Sequence, residues 1–407
     1  MLELLMPAGN IEKLKYSIKY GADAVYLGVV DYSLRTMRSG DVITHSNIKE
    51  AIEIAHNAGK NAYCTLNIFA HNSDIRHLEE NIEIIADANP DAIIFGDFGV
   101  YHLIKKYMPN VKLHISTQSN TLNYEAVRFW KDFGVHRVIL ARELNLDEIA
   151  EIHEKVPDIE LEMLVQGAQC VSYSGRCLLS DAMTDGERKS NKGFCAQPCR
   201  WKYYLVEESR LNLPYEIGEN EQGTYILSPK DLALIKYLPQ IEAAGVNSIK
   251  IEGRTKSMYY AANVAKTYRM ALDSMKKGLP YDGDTLLKEL QKVGNRGYTT
   301  GFALGEVPEN EYRYHTTGMS QGARFFGIIN DKNDEGMYFC KMKYKLEKNQ
   351  PLEIFTPEHE GSTRLLCIQD IYGNELEVAN TNQEVYLKFE HIDWLENDYE
   401  MAIMRSI

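Results

Sequence analysis

Four of the chain's seven cysteines, Cys170, Cys177, Cys195 and Cys199, crowd into QGAQCVSYSGRCLLSDAMTDGERKSNKGFCAQPCRW. Clustered thiols can form disulfides, hold a metal, or present one activated nucleophile. The N-terminus, MLELLMPAGN, has neither the basic region nor the apolar core of a signal peptide. No apolar run approaches the roughly 18 residues needed to span a bilayer. The expected compartment is therefore cytoplasmic, with no membrane partner, and there cysteines stay reduced unless they ligate or react. The spacing is C-x6-C-x17-C-x3-C. Zinc sites usually use two short knuckles, and only Cys195 and Cys199 stand that close. Each cysteine of an iron–sulfur cluster meets a different iron, so irregular spacing is tolerated. A 4Fe-4S cluster, zinc and unligated thiols, in that order, remain open. Gly167, Gly175 and Gly193 each precede a cysteine, where a tight turn can aim N–H groups at sulfur. Cys64, Cys340 and Cys367 lie in apolar runs and read as small buried hydrophobes.

Such a cluster needs a frame, and the chain supplies a repeating rhythm. Apolar runs at Leu2–Ala8, Ala24–Val29, Asn61–Asn67, Ala92–Asp97, Lys112–Gln118, Arg137–Arg142, Leu161–Gln166 and Ser248–Gly253 read as buried strands. Amphipathic segments alternate with them, among them Ile11–Tyr20, Ser46–Ala58, Tyr124–Phe133 and Leu146–Lys155. Gly21, Gly59, Gly134 and Gly245 fall where helices should end, and Asn145 and Asp231 where they should begin. The expected fold is α/β, a (β/α)8 TIM-type barrel over residues 1–305, with a doubly wound open sheet as the alternative. A Cys-rich insertion, 168–228, follows strand seven, with Tyr225–Pro229 expected to pair with Tyr203–Glu207 inside it. Helix seven is expected over Asp231–Ala244 and helix eight over Tyr259–Met275. After a linker at 306–316, residues 317–407 change to short β runs split by turns at Asp-Glu-Gly and Tyr-Gly-Asn. That texture predicts a small antiparallel, barrel-like domain.

Barrel enzymes gather their chemistry at strand carboxyl ends. Asn67, Asp97, His114, Ser116, Gln118, Asn120, Arg142, Gln166, Glu252 and Arg254 occupy such positions. Alternation puts His114, Ser116 and Gln118 on one face, expected to point inward. His114, Gln118, Glu252 and Arg254 are the candidate catalytic residues. Arg35, Arg38, Asn67, Ser116 and Arg142 are the candidate substrate-binding residues. Arg254, oriented by Glu252, suits a carboxylate or phosphate, against the plainer reading of a rim ion pair. Tyrosine clusters at Tyr203–Tyr204, Tyr259–Tyr260 and Tyr312–Tyr314 read as packing before base stacking. A net charge of −13 over 407 residues argues against non-specific nucleic-acid binding but leaves room for a local basic face.

ELEMLVQGAQCVSYSGRCLLS followed by GFCAQPCRW resembles the signature of the collagenase-like peptidase family, class U, family 32. LLMPAGNIEKLKYSIKYGADAVYLG, SIKIEGRTKSMYYAANVAKTYRMALD and NRGYTTGF extend the resemblance over about residues 2–305. Leu164 and Gln169 depart from it, standing where the family has Phe and an apolar residue. The nearest branch hydroxylates the wobble uridine of tRNA to 5-hydroxyuridine. The resemblance implies a 4Fe-4S cluster on Cys170, Cys177, Cys195 and Cys199, prephenate as a dicarboxylate co-substrate, tRNA as partner and a separate electron-transfer partner. A peptidase, or a hydroxylase of another RNA such as rRNA, is the alternative. The sequence lacks H-E-x-x-H, and four crowded thiols suit one activated nucleophile poorly.

Overall fold

The structure is a computed structural model describing residues 1–34, 41–170, 172–173, 176–201, 218–220, 223–225, 229–305 and 319–407. Its described residues form two compact units, Met1–Glu289 with Asn295–Ser320, and Leu290–Gly294 with Gln321–Ile407.

In the first unit, seven strands run in chain order around a ring: β1 (Glu3–Ala8), β2 (Ala24–Leu27), β3 (Asn61–Leu66), β4 (Ala92–Phe95), β5 (Lys112–Ile115), β6 (Arg137–Ile139) and β7 (Glu160–Ala168). The ring closes through β11 (Ser248–Ile251), which pairs in parallel with both β7 and β1. The fold is thus an eight-stranded parallel closed barrel, as expected from the strand spacing. Its helices are α1 (Ile11–Lys19), α2 (Ile48–Asn57), α3 (Asn72–Asp87), α4 (Phe98–Tyr107), α5 (Tyr124–Asp132), α6 (Leu146–Lys155), the short α7 (Leu179–Ala182), α8 (Leu238–Ala243), α9 (Met258–Lys276) and α10 (Gly283–Gln291). Local chemistry sets their ends. Asn10, Asn123, Asn145 and Ser257 cap α1, α5, α6 and α9 by accepting a backbone N–H from inside each first turn. Gly21, Gly59, Gly134 and Gly245 follow helix ends with positive φ, a region that disfavours side chains.

Helix seven departs from expectation. Asp231–Ala233 is not the start of a helix but a strand, β10, antiparallel to Gln166–Ala168. The cause is a length mismatch. β6 ends at Ile139 while β7 continues to Ala168, leaving an open edge whose polar groups need partners. β10 takes that edge and in turn pairs with β12 (Tyr298–Thr299). Within the insertion, β8 (Gly218–Asn220) pairs with β9 (Gly223–Tyr225). The pairing expected with Tyr203–Glu207, the linker 306–316, Tyr203–Tyr204 and Tyr312–Tyr314 lie outside the described residues. Tyr259 and Tyr260 are buried in α9.

The second unit is antiparallel throughout its main sheet. Its strands are β13 (Phe325–Lys332), β14 (Tyr338–Met342), β15 (Leu346–Glu347), β16 (Pro351–Phe355), β17 (Glu360–Asp370), β18 (Glu375–Leu376), β19 (Val378–Ala379), β20 (Glu384–Phe389) and β21 (Ala402–Arg405). Six of these close a ring in the order β13, β14, β20, β17, β16, β21. Gly336 and Gly373, with φ of 75° and 86°, make the two turns read from the sequence. Among the described residues, no helix is long and apolar enough to cross a membrane.

Candidate active site

The barrel interior changes character along its axis. Leu5, Ala24, Tyr26, Tyr63, Ala92, Ile94 and Ile139 form a small apolar plug. Below it sits a buried ionic network. Arg137 meets Glu3 at 2.6 Å, Glu160 at 2.6 Å and Glu162 at 3.2 Å, and Lys250 meets Glu162 at 2.7 Å. His114 shares this level, its ring edge-on to Tyr63 at 4.8 Å. Burial holds its imidazole well below the usual range, and the charges of Arg137 and Lys250 add to the effect. Burial likewise lowers the Lys250 ammonium, against the pull of Glu162.

Above the plug, polar side chains converge at the carboxyl ends of the strands. Asn67 donates to Gln118 Oε1 at 3.1 Å and to Ser116 Oγ at 3.3 Å, while the Ser116 hydroxyl donates to Gln118 Oε1 at 2.7 Å. Arg254 is locked rather than free to swing. Its guanidinium donates to Ser33 Oγ at 2.6 Å, to Thr65 Oγ1 at 2.9 Å and to the Leu34 carbonyl. Gly28 makes this possible, because a Cβ there would overlap Ser33 Oγ, Arg254 Nη1 and Thr65 Oγ1. Arg142 donates to the Ala168 carbonyl at 3.0 Å, at the end of β7.

The cysteine segment leaves β7 through Gly167, whose φ of +103° lets the chain pass the Glu252 carbonyl oxygen. Cys177 precedes α7 and accepts the Leu179 N–H at 3.3 Å on Sγ, and Cys195 accepts the Gln197 N–H at the same distance. Ser180 ties the two halves together. Its Oγ accepts the Ala196 N–H at 2.9 Å and donates to the Arg188 carbonyl. Arg188 in turn donates to the Phe194 carbonyl at 3.1 Å. The segment is pinned across the barrel by Lys192 on the Phe69 carbonyl at 2.8 Å, and by Arg176 on the Gln118 carbonyl at 2.9 Å. Ser180 and Arg188 are parts that sequence reasoning missed. Nothing in their spacing marks them, since their roles arise only when the segment folds back on itself.

A cavity of about 750 Å³ lies between this segment and the barrel mouth. All four clustered cysteines line it, together with Asn67, Ser116, Gln118, Arg142, Glu252 and Arg254. His114 does not; it lies one level down, where the inward pointing of β5 places it below Ser116. Asp97 caps α4, and Gln166 accepts the Tyr268 hydroxyl of α9 at 3.1 Å, so neither lines the cavity. Arg35 and Arg38 lie outside the described residues. The wall is strongly basic. Arg142, Arg188, Arg254, Lys256 and Arg296 face only Glu143 and Glu252 among the lining residues described, and Lys250, paired with Glu162, reaches the cavity from below. Such a surplus of cations concentrates anionic ligands, in a chain whose overall charge is opposite. Behind the wall, Asp231 sits 3.6 Å from Arg296 and 3.8 Å from Lys256.

Four thiols lining one cavity, two of them receiving backbone N–H groups, match the donor chemistry of soft-metal or cluster ligation. Among the described residues, no three Cys, His, Asp or Glu side chains are gathered closely enough to hold a single metal ion.

Fold and site together define a TIM-barrel protein with a basic, thiol-walled cavity at its C-terminal mouth. Residues 9–313 match the sequence model of Peptidase family U32, and residues 321–405 match that of the Peptidase family U32 C-terminal domain. The chain belongs to this family. It is 38% identical over 401 residues to tRNA hydroxylation protein P of Haemophilus influenzae, covering 88% of this chain and 86% of that one. It is 40% identical over 387 residues to tRNA hydroxylation protein P1 of Bacillus subtilis, covering 93% and 89%. A protein named collagenase from Porphyromonas gingivalis is 34% identical over 333 residues, 78% of each chain.

Proposed function

We propose that this protein hydroxylates the wobble uridine of tRNA at C5, using a 4Fe-4S cluster and prephenate. The observation that carries the reading is that four thiols and six basic side chains line one cavity. The names of the two tRNA hydroxylation relatives support the substrate. Replacing C5–H by C5–OH is a two-electron oxidation, so the site needs a redox group. Cys170, Cys177, Cys195 and Cys199 would hold the cluster, which supplies electron transfer when bound.

The chain's own residues do the rest. Arg254, held rigid by Ser33, Thr65 and Leu34, presents a preformed guanidinium to a carboxylate of the small dicarboxylate. Asn67, Ser116 and Gln118 offer amide and hydroxyl groups that suit the polar edge of a uracil ring. The outer cations, Arg188, Lys256 and Arg296, suit the phosphates of the RNA chain. His114 stays neutral beneath the cavity and acts by packing, not by proton transfer to substrate.

Proteolysis is the weaker reading despite the family's name. Among the described residues no histidine lines the cavity to serve as base for a thiol. Deleting the gene in its host and analysing tRNA nucleosides tests the proposal. Loss of 5-hydroxyuridine derivatives, restored by the intact gene, is expected. Unchanged wobble uridines would exclude the tRNA assignment, and loss of a hydroxylated rRNA nucleoside would redirect it. Anaerobically purified protein should be brown, with about four irons per chain.

A further inference from the structure

We propose that Phe302 is a stacking platform for the pyrimidine base that enters the cavity. The inference rests on the RNA reading above and adds a base-positioning residue to it. Three aromatic side chains line the cavity among the described residues, and they differ sharply in exposure. Tyr26 is 5% and Phe194 8% exposed, whereas Phe302 is 40% exposed. Tyr26 already carries two cations, Lys250 at 4.4 Å and Arg254 at 5.4 Å from its ring centre. Phe302 has no aromatic or cationic partner among the described residues. Leaving 40% of the Phe302 side chain in water at a ligand cavity forgoes part of its burial energy. A planar apolar ligand would recover it.

The ring is also preorganised. It sits in the turn after β12, which reaches the barrel mouth only because β10 bridges it to β7. Gly301, at φ +54°, donates its N–H to Thr299 Oγ1 at 3.0 Å, and a Cβ there would press on Gln169 at 3.3 Å. The Gly305 N–H closes on the Phe302 carbonyl at 3.0 Å, and the Leu146 N–H ties the turn to α6 through the Ala303 carbonyl at 3.0 Å. Gln169 adjoins Cys170 in the chain, and Phe302 and the four thiols line the same cavity. A π-face in the same cavity lining as Arg142, Lys256 and Arg296 combines the two elements that bind single-stranded RNA, base stacking and phosphate neutralisation. An apolar protein partner would instead have to bury those charges, which interface centres avoid.

The test is a double-substitution cycle on the full chain, read as the dissociation constant for an anticodon stem-loop RNA. One stem-loop carries uridine at the wobble position and the other an abasic residue. Wild-type protein should bind the abasic RNA about ten-fold more weakly, the scale of one lost base–aromatic stack. F302A should weaken binding of the intact RNA by a similar factor and should no longer distinguish the two RNAs. F302W should restore the discrimination, which a purely structural role for the side chain would not. Equal penalties for the abasic residue in wild type and F302A would overturn the platform while leaving RNA binding standing. Failure of the wild-type protein to bind either stem-loop would overturn the platform together with the RNA reading. Loss of all binding in F302A with F302W equally inactive would assign the ring to folding and refute the proposal.

Discussion

The eight-stranded barrel buries Arg137, Glu162, Lys250 and His114 between its strands, whereas the six-stranded barrel fills its centre with Phe326, Ile329, Met342, Leu352, Leu365 and Leu387. Both sheets close into a ring, yet their interiors serve different ends. Six strands enclose just enough room for apolar side chains, and a sealed core stabilises the domain at roughly 1.5–3 kcal/mol per buried Leu or Ile. Eight strands leave an axis wide enough for long polar groups and, at one end, for a cavity. Buried ion pairs stabilise little relative to apolar packing, and their retention marks where a barrel gives up stability for a site. The glycines tell the same story. Gly28 clears space for Arg254, while Gly336 and Gly373 merely turn hairpins.

Substitutions can break this contrast. The largest effect is expected from serine at any of Cys170, Cys177, Cys195 or Cys199, which should abolish both bound iron and the hydroxylated nucleoside. C340S, in the sealed core of the second barrel, should leave both intact and cost about 1–3 kcal/mol in a denaturant melt, for a hydroxyl buried in apolar surroundings. Iron retained in all four cavity variants would remove the distinction between the two sets of thiols. G28A comes next. By displacing the Arg254 guanidinium it should reduce product in complemented cells by about a hundred-fold, the scale of a 1 Å misplacement, with protein level maintained.

Stability changes should be smaller in their functional reach and should sharpen the comparison. E162A takes from the buried Lys250 its carboxylate partner, while Arg137 keeps Glu3 and Glu160, and should cost about 3–5 kcal/mol. L352A in the second barrel leaves only a cavity and should cost about 2–5 kcal/mol. Hydrogen exchange on the full chain assigns each loss to its own barrel. A neutral E162A would show that water, not protein, satisfies the interior charges.

The smallest effect concerns pH. His114 is held below its ordinary value, so unfolded chains bind a proton near pH 6.5 that the folded barrel refuses. Stability of the first barrel should therefore fall as pH drops below about 6.5, and H114Q should remove that slope. In the second barrel, burial pushes the Glu353 carboxyl up, but Arg405 and Lys292 outweigh it and hold it below its ordinary value. Its contribution should persist until pH falls through the carboxylate range. Protection measured by hydrogen exchange at pH 7 and pH 5.5 separates the two, and parallel losses would contradict the assignment to His114.

Much of this architecture is legible along the chain. Strand and helix periodicity marks all eight barrel strands, because inside-out burial repeats locally. Asn145 and the post-helix glycines announce helix ends, because capping is settled within one turn. The pairing of inward polar residues at Ser116 and Gln118 is likewise legible, since alternation dictates it. Other features were hidden. Asp231 looks like an N-cap, but the open edge of β7 claims it as a strand, a demand set by the length of β6 far away in sequence. His114 shares its face with Ser116, yet depth along the barrel axis separates a buried packing residue from a cavity wall.

What the sequence alone determined was the alternating α/β order, the change to β texture near residue 320, the thiol quartet and its family likeness. These depend on residue type and near-neighbour spacing. Only the tertiary structure decided which groups come together: Arg254 with Ser33 and Thr65, Ser180 between the cysteine pairs, and Phe302 brought to the cysteine-lined cavity through β10 and β12. Those contacts join segments tens to hundreds of residues apart, and their energies depend on burial and distance, which exist only once the barrel has closed.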